Sequence, residues 1–200
     1  MDDEQTVEHF LEIIKDEADR LKFLIKDLFA LTEVEDKEFS LIPAKIEDSV
    51  ASVRKMFSDR SSKKNISLQV ELEQDLPCVL MVPEKIEQVL TNLVDNAFKY
   101  TPKGGSVVLR LYHKEEENRI YVEVEDDGIG IPEADQNRIF ERFYRVDKAR
   151  SREMGGTGIG LSIVKHIIQG HQSEIEVIST EGEGTLFRFY LQTTSCSLKE

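Results

Sequence analysis

All 11 glycines lie at or beyond position 104, and six of them fall in two short clusters, Gly128/Gly130 and Gly155/Gly156/Gly158/Gly160. Glycine alone enters positive φ without steric penalty. The first half of the chain must therefore be built from elements that need no such turns. The second half has two places where backbone bends tightly or approaches something closely. A length of 200 residues allows one full domain plus a smaller piece. With 40% apolar and 32% charged residues the chain can bury a core. Its formal net charge of -13 argues against bulk attraction to nucleic acid or to an anionic membrane. No apolar run reaches the roughly 18 residues of a membrane span, and the acidic start MDDEQTVEHF does not read as a signal peptide. Cys78 and Cys196 are far apart and outside any CxxC, so neither a disulfide framework nor a zinc site is expected, and a reducing cytoplasm is the default.

Residues 2–35 contain neither Gly nor Pro. Phe10, Ile14, Glu17, Leu21, Leu24, Leu28 and Leu31 recur at alternating spacings of four and three, an a/d stripe with one charged member. Such a helix is marginal alone and wants a partner helix. Segment 36–43 breaks the pattern and reads as a boundary. Beyond it a helix is predicted near 44–60 and strands at 66–73 and 79–82. A helix over 84–100 stops before Pro102, and a hairpin pair follows at 107–112 and 120–125. After the two glycine clusters come a helix near 159–169 and two strands at 174–179 and 185–191. Hairpins and helices without strict βαβ alternation predict an α+β fold, a two-layer α/β sandwich on a mixed sheet, preceded by the long N-terminal helix. The tail from Thr193 reads as frayed.

Four stretches carry chemistry. On the 84–100 helix, Asn92, Asp95, Asn96, Lys99 and Tyr100 share a polar side, with Ile86, Val89, Leu90, Leu93, Val94 and Ala97 opposite. Two amides and an amine suit Mg²⁺ and phosphate, though a solvated stripe would look the same. Asp126-Asp127-Gly128-Ile129-Gly130 ends a strand, where an aspartate can hydrogen-bond a planar ligand, or simply make an acidic turn. Gly155–Ser162 runs into an apolar helix, so free N–H groups and the helix dipole can cradle phosphate. It matches neither the dinucleotide fingerprint nor the P-loop. Between the clusters, Arg138, Arg142, Arg145, Lys148, Arg150 and Arg152 face only Glu141 and Asp147. That basic stretch is either a loop that closes over polyanionic phosphate or a solvated charge run, with Phe140, Phe143 and Tyr144 as possible anchors.

In this order and spacing, NLVDNAFKYTP, DDGIGIP, IFERFYRVD, GGTGIGLSIVKH and GTLFRF resemble the N, G1, F and G2 boxes and the last Gly-Thr motif of the histidine kinase catalytic domain. That domain shares the Bergerat ATP-binding fold with gyrase, Hsp90 and MutL. The resemblance covers about 40–191 and is strongest to PhoR/WalK-type kinases of Gram-positive bacteria. It implies an ATP- and Mg²⁺-binding domain. Asn96 would bind Mg²⁺ with support from Asn92, Lys99 would meet phosphate and Tyr100 would border the nucleotide. Asp126 would accept the adenine amino group near Thr185, with Gly128 and Gly130 in the turn beside it. The backbone of Gly156 and of Gly158, Ile159, Gly160 and Leu161 would hold the phosphates, and Arg145 would reach the γ-phosphate. Position 92 lacks the water-activating acid of the ATPase relatives, which implies phosphotransfer over hydrolysis.

The helix over 1–36 resembles the second helix of the dimerisation and phosphotransfer hairpin, 40–192 the catalytic domain, and 193–200 a tail. None of His9, His113, His166 and His171 is followed by an acid or has proline five residues later. The acceptor histidine is thus expected outside this chain. His9 is expected at the surface, and His166 and His171 in a helix C-terminal role. The resemblance implies homodimerisation of an intact cytoplasmic kinase portion and a response-regulator partner. The chain alone is expected to bind nucleotide, not to autophosphorylate, and either to associate imperfectly or to remain monomeric. Two other readings stay open: a serine protein kinase of the anti-sigma type, and a non-catalytic nucleotide-binding interaction module.

Overall fold

The computed structural model describes residues 39–146 and 157–196. The 2–35 stripe with its His9, and Gly155, Gly156, Lys148, Arg150 and Arg152, lie outside the described residues. The described elements are β1 (Ile42–Ala44), α1 (Ile46–Lys64), β2 (Ser67–Leu72), β3 (Cys78–Met81), α2 (Pro83–Tyr100), β4 (Ser106–Lys114), β5 (Arg119–Asp126), the short α3 (Glu133–Gln136), α4 (Gly160–Gly170), β6 (Glu176–Thr180) and β7 (Gly184–Thr194). The strands form one mixed sheet in the order β1-β3-β7-β5-β4-β2, with β6 also on β7. Only β2 and β4 run parallel; the other pairs are antiparallel. This is the two-layer sandwich expected.

Period-two alternation explains the layers. Val107, Leu109 and Leu111 of β4, with Ile120, Val122 and Val124 of β5, are buried in one core with Phe98, Leu93 and Ile86 of α2 and Ile163 and Ile167 of α4. Helix α2 packs against α1 on one side and α4 on the other, and Pro83 in its first turn needs no N–H partner. The opposite sheet face carries charge. Glu71, Arg110, Glu123, Arg188 and Glu176 alternate in sign across five strands. Arg110 Nε lies 2.8 Å from Glu71 and its Nη1 3.0 Å from Glu123, while Arg188 Nη2 lies 2.7 Å from Glu176.

The structure departs from the sequence reading at several places. The end of the presumed boundary segment is an edge strand, β1, paired with β3. Three residues containing a proline show no periodicity to read. Phe39 packs edge-on against Gly170, where a β-carbon would fall 1.9 Å from its ring. Thr193 and Thr194 continue β7 where a frayed tail was expected. Contrary to expectation, Cys78 and Cys196 form a disulfide, Cα atoms 5.3 Å apart. The cause is non-local: antiparallel pairing sets Cys78 opposite Thr194, two residues short of Cys196.

His171 caps α4, but as a buried neutral ring. Its Nδ1–H donates to the Ile167 carbonyl at 2.7 Å, and Nε2 accepts the Val82 N–H at 3.0 Å, at the start of α2. Burial holds its pKa below the ordinary value. A histidine depressed in the fold contributes stability that is complete above the unfolded pKa and is lost as pH falls through the folded one. The stability advantage of the wild type over His171→Gln, read by urea unfolding, is therefore expected to shrink as the pH falls from 7 to 5. A pH-independent advantage would contradict the neutral-ring assignment.

Candidate functional site

The site lies where α2, the end of β5 and the start of α4 meet. Asn92, Asn96, Lys99 and Tyr100 are half-buried on α2, because the opposite side of this helix is committed to the core. From Asn92 to Tyr100 the helix rises about 12 Å, with Asn96 midway. At one end, Asn92 touches α4: a β-carbon on Gly160 would sit 3.1 Å from Asn92 Oδ1. At the other, the Tyr100 carbonyl accepts the Ile129 N–H at 3.2 Å, and a β-carbon on Gly128 would fall 2.7 Å from it. The helix thus connects the two glycine clusters along its polar side.

Asp126, the last residue of β5, is buried. Its Oδ1 accepts the Gly128 N–H at 2.9 Å. Burial pushes its carboxyl up to about 6, the Gly128 N–H opposing and the Asp127 and Glu125 charges adding. A carboxylate raised this far weakens the fold by about 3 kcal/mol at neutral pH, relieved as the group protonates below pH 6. A buried acceptor held in an unfavourable charge state is a mark of a binding site. Thr185 sits opposite Asp126 in the β5–β7 register. Its hydroxyl lies 3.0 Å from Ser179 Oγ, which donates to the Gly184 carbonyl at 2.7 Å and accepts the Ile131 N–H at 2.8 Å. Ser179, and Gln136, which donates to the Ile131 and Ser179 carbonyls, were not among the sequence candidates. The β6–β7 register brings Ser179 here, and Gln136 reaches it from α3.

The neighbouring Asp127 is structural: its oxygens accept the Ser106 N–H at 2.7 Å and the Ser106 hydroxyl at 2.8 Å. Gly130, at φ +66°, faces protein, since its β-carbon would fall 2.0 Å from the Thr180 carbonyl. Gly158, at φ +75°, accepts the Phe143 N–H through its carbonyl at 2.8 Å. Ile159 is buried and Leu161 half-buried at the start of α4, which has no side-chain N-cap bond. Its first N–H groups and dipole suit an anion. Arg145 is half-buried in the segment that Phe143 and Tyr144 join to this helix start. Of the expected anchors, Phe140 packs edge-on against Phe187 at 6.3 Å, and Tyr144 donates to Asp135. Phe143 is not an anchor: its side chain is 62% exposed, and its backbone alone makes the contact. Gly156 lies outside the described residues.

Lys99 Nζ is 2.6 Å from Asp95 Oδ2, and Arg60 of α1 pairs with the other Asp95 oxygen. Among the described residues no three His, Cys, Asp or Glu side chains gather as a metal cage. Asn92 and Asn96 carry amide oxygens, a donor type that Mg²⁺ accepts beside phosphate oxygens and water. No described helix is long and apolar enough to cross a membrane.

Comparison with known proteins agrees with this geometry. Residues 81–195 match the histidine kinase-, DNA gyrase B-, and HSP90-like ATPase family. The sensor histidine kinase WalK of Bacillus subtilis is 39% identical over 186 residues, covering 91% of this chain and 30% of its own length. The chain thus spans about a third of that curated relative. Full-length ShkA, solved in complex with AMPPNP, superposes with a TM-score of 0.77 at 27% identity, over 92% of this chain and 38% of that one. The nucleotide-free catalytic domain of histidine kinase ThkA gives 0.68 at 27% identity, over 78% of this chain and 97% of that one. The chain belongs to the histidine kinase-, DNA gyrase B-, and HSP90-like ATPase family, and its folded domain is an ATP-binding catalytic domain of the sensor histidine kinase type.

Proposed function

We propose that this domain binds Mg-ATP across α2 and presents the γ-phosphate to a histidine of a phosphotransfer hairpin, for relay to a response-regulator aspartate. The reading rests on one observation above the others: Asp126, a buried acceptor with a raised pKa, lies beside the Tyr100 end of the α2 side on which Asn96 and Asn92 follow. The AMPPNP complex of ShkA supports the nucleotide. In this reading Asp126 accepts the adenine amino N–H, with Thr185 beside it. Gly128 and Gly130 hold that turn, and Tyr100 borders the base. Asn96, assisted by Asn92, holds Mg²⁺, which supplies charge neutralisation on the phosphates. The N–H groups at Gly158, Ile159, Gly160 and Leu161 receive phosphate oxygens, while Lys99 and Arg145 add positive charge. An amide at position 92 offers no base for water, which favours transfer to a positioned nucleophile. The intact protein is a homodimer with this domain on the cytoplasmic side.

A base that donates an N–H to Asp126 favours its charged form. Carboxyl ¹³C NMR should find the Asp126 midpoint near pH 6 in the free chain. Saturating adenosine, which has no phosphate to titrate, should lower it by about one unit. Binding below pH 6 then releases a proton, and affinity rises with pH until the group is ionised. A midpoint that adenosine leaves in place would remove adenine from this position.

A further inference from the structure

We propose that Arg60 is a positioning residue for the phosphate-binding lysine: it shares Asp95 with Lys99, so that Lys99 can pass to an arriving polyphosphate without leaving a bare carboxylate behind. The inference rests on the assignment of Lys99 to phosphate made above, and it adds a residue from α1, outside the nucleotide motifs.

Asp95 and Lys99 are one turn apart on α2, with 27% and 21% of their side chains exposed. Lys99 takes one carboxylate oxygen at 2.6 Å, and Arg60 takes the other. Burial pushes the Asp95 carboxyl up, but Lys99 and Arg60 together outweigh it and hold the group below its usual range. Arg60 is fixed from behind. Its guanidinium lies 5.6 Å from the Phe57 ring centre and 5.9 Å from that of Phe98, and these two buried rings pack 5.3 Å apart. One turn on, Lys64 Nζ donates to the Phe98 carbonyl at 3.0 Å. Three cations from the ends of α1 and α2 therefore surround one carboxylate, where helix dipoles also favour positive charge.

The two cations differ in freedom. Arg60 is planar, bound to aromatic faces and weakly hydrated, which suits a fixed ion pair. Lys99 is a flexible point charge. A polyphosphate carries more charge than Asp95 and can draw Lys99 away while Arg60 keeps Asp95 neutralised. Without Arg60, moving Lys99 would expose a half-buried, unpaired carboxylate beside the incoming phosphates, at a desolvation and repulsion penalty.

Calorimetry on the 200-residue chain with adenosine, Mg-ADP and Mg-ATP separates this role from simple packing of α1 on α2. Arg60→Met keeps the stem over the rings. It should weaken Mg-ATP about tenfold, Mg-ADP less, and adenosine not at all. Arg60→Lys should stay within about threefold of wild type. Adding Asp95→Asn to Arg60→Met should restore Mg-ATP affinity. Asp95→Asn alone should strengthen Mg-ATP about threefold, which reads the same idea even if Arg60→Met fails to fold. Equal losses for all three ligands, no rescue by the double variant, or unchanged or weaker Mg-ATP binding by Asp95→Asn would overturn the proposal. Lys99→Met distinguishes the two levels. If it leaves Mg-ATP binding intact, the phosphate assignment of Lys99 fails. If it weakens Mg-ATP while Arg60→Met does not, the site stands and Arg60 has no part in it.

Discussion

Asn96→Ala is expected to weaken Mg-ATP binding by about thirty- to a hundredfold while leaving the fold intact. Both halves follow from where Asn96 sits. It lies midway between the Gly160 contact at Asn92 and the Gly128 contact at Tyr100, on the half-buried polar side of a helix whose opposite side is the core. Its amide has no part in that core, and alanine is the better helix former by several tenths of a kcal/mol. The unfolding midpoint should therefore hold or rise slightly. The loss of a polar contact to a charged group is worth about 2.0–2.7 kcal/mol, which sets the affinity change. Calorimetry with and without Mg²⁺ measures it, and the deficit should be confined to the titration with metal. An affinity equal to wild type would end the metal assignment. An equal loss without Mg²⁺ would move Asn96 to a direct nucleotide contact.

Gly130→Ala is expected to fail for the opposite reason, by unfolding. Gly130 belongs to the same motif as Asp126, yet its Cα faces protein. The added β-carbon would fall 2.0 Å from the Thr180 carbonyl and 3.0 Å from the Glu181 Cα, at φ +66°. Neither neighbour is the end of a flexible side chain, so the β6–β7 turn itself must shift. That turn also donates the Gly182 N–H to the Ile129 carbonyl at 2.8 Å, a bond its displacement would disturb. Strain and displacement together should amount to about 3–4 kcal/mol, lowering the thermal midpoint by on the order of 10 °C. Gly182→Ala is the control. It shares a positive φ of +86° but has nothing within 4 Å, so only the local backbone penalty of about 1 kcal/mol remains. Similar midpoints for the two variants would show that close approach at Gly130 has no weight.

These two positions show what a motif leaves undecided. Asp126, Gly128 and Gly130 read as one ligand-binding unit in the sequence, but the structure divides them: Asp126 is a buried acceptor, and Gly128 and Gly130 make room for protein backbone. Asp127, adjacent and chemically identical to Asp126, is consumed by Ser106. Strand direction separates the two carboxylates, because consecutive residues at a strand end point to opposite sides. Phe143 makes the same point. Its aromatic type suggested an anchor, yet its ring is exposed and only its backbone, at a positive φ of 63°, meets Gly158. Cys78 and Cys196 are 118 residues apart, and no local signal foretells their meeting.

By itself, the sequence determined what is periodic or short-range. The apolar side of α2 and the alternation of β4 and β5 follow from repeats of 3.6 and 2, and each is encoded within one element. So is the helix start after Gly158, and so is the order of motifs that points to the ATPase family. Tertiary structure decided everything that depends on register between distant strands or on contact between separate helices. It set Thr185 opposite Asp126, placed Ser179 and Gln136 beneath the turn, and brought Arg60 of α1 onto Asp95 of α2. Such pairings are chosen by how a whole core packs, since a strand shifted by one residue would turn every side chain to the other face, and no stretch of ten residues carries that information.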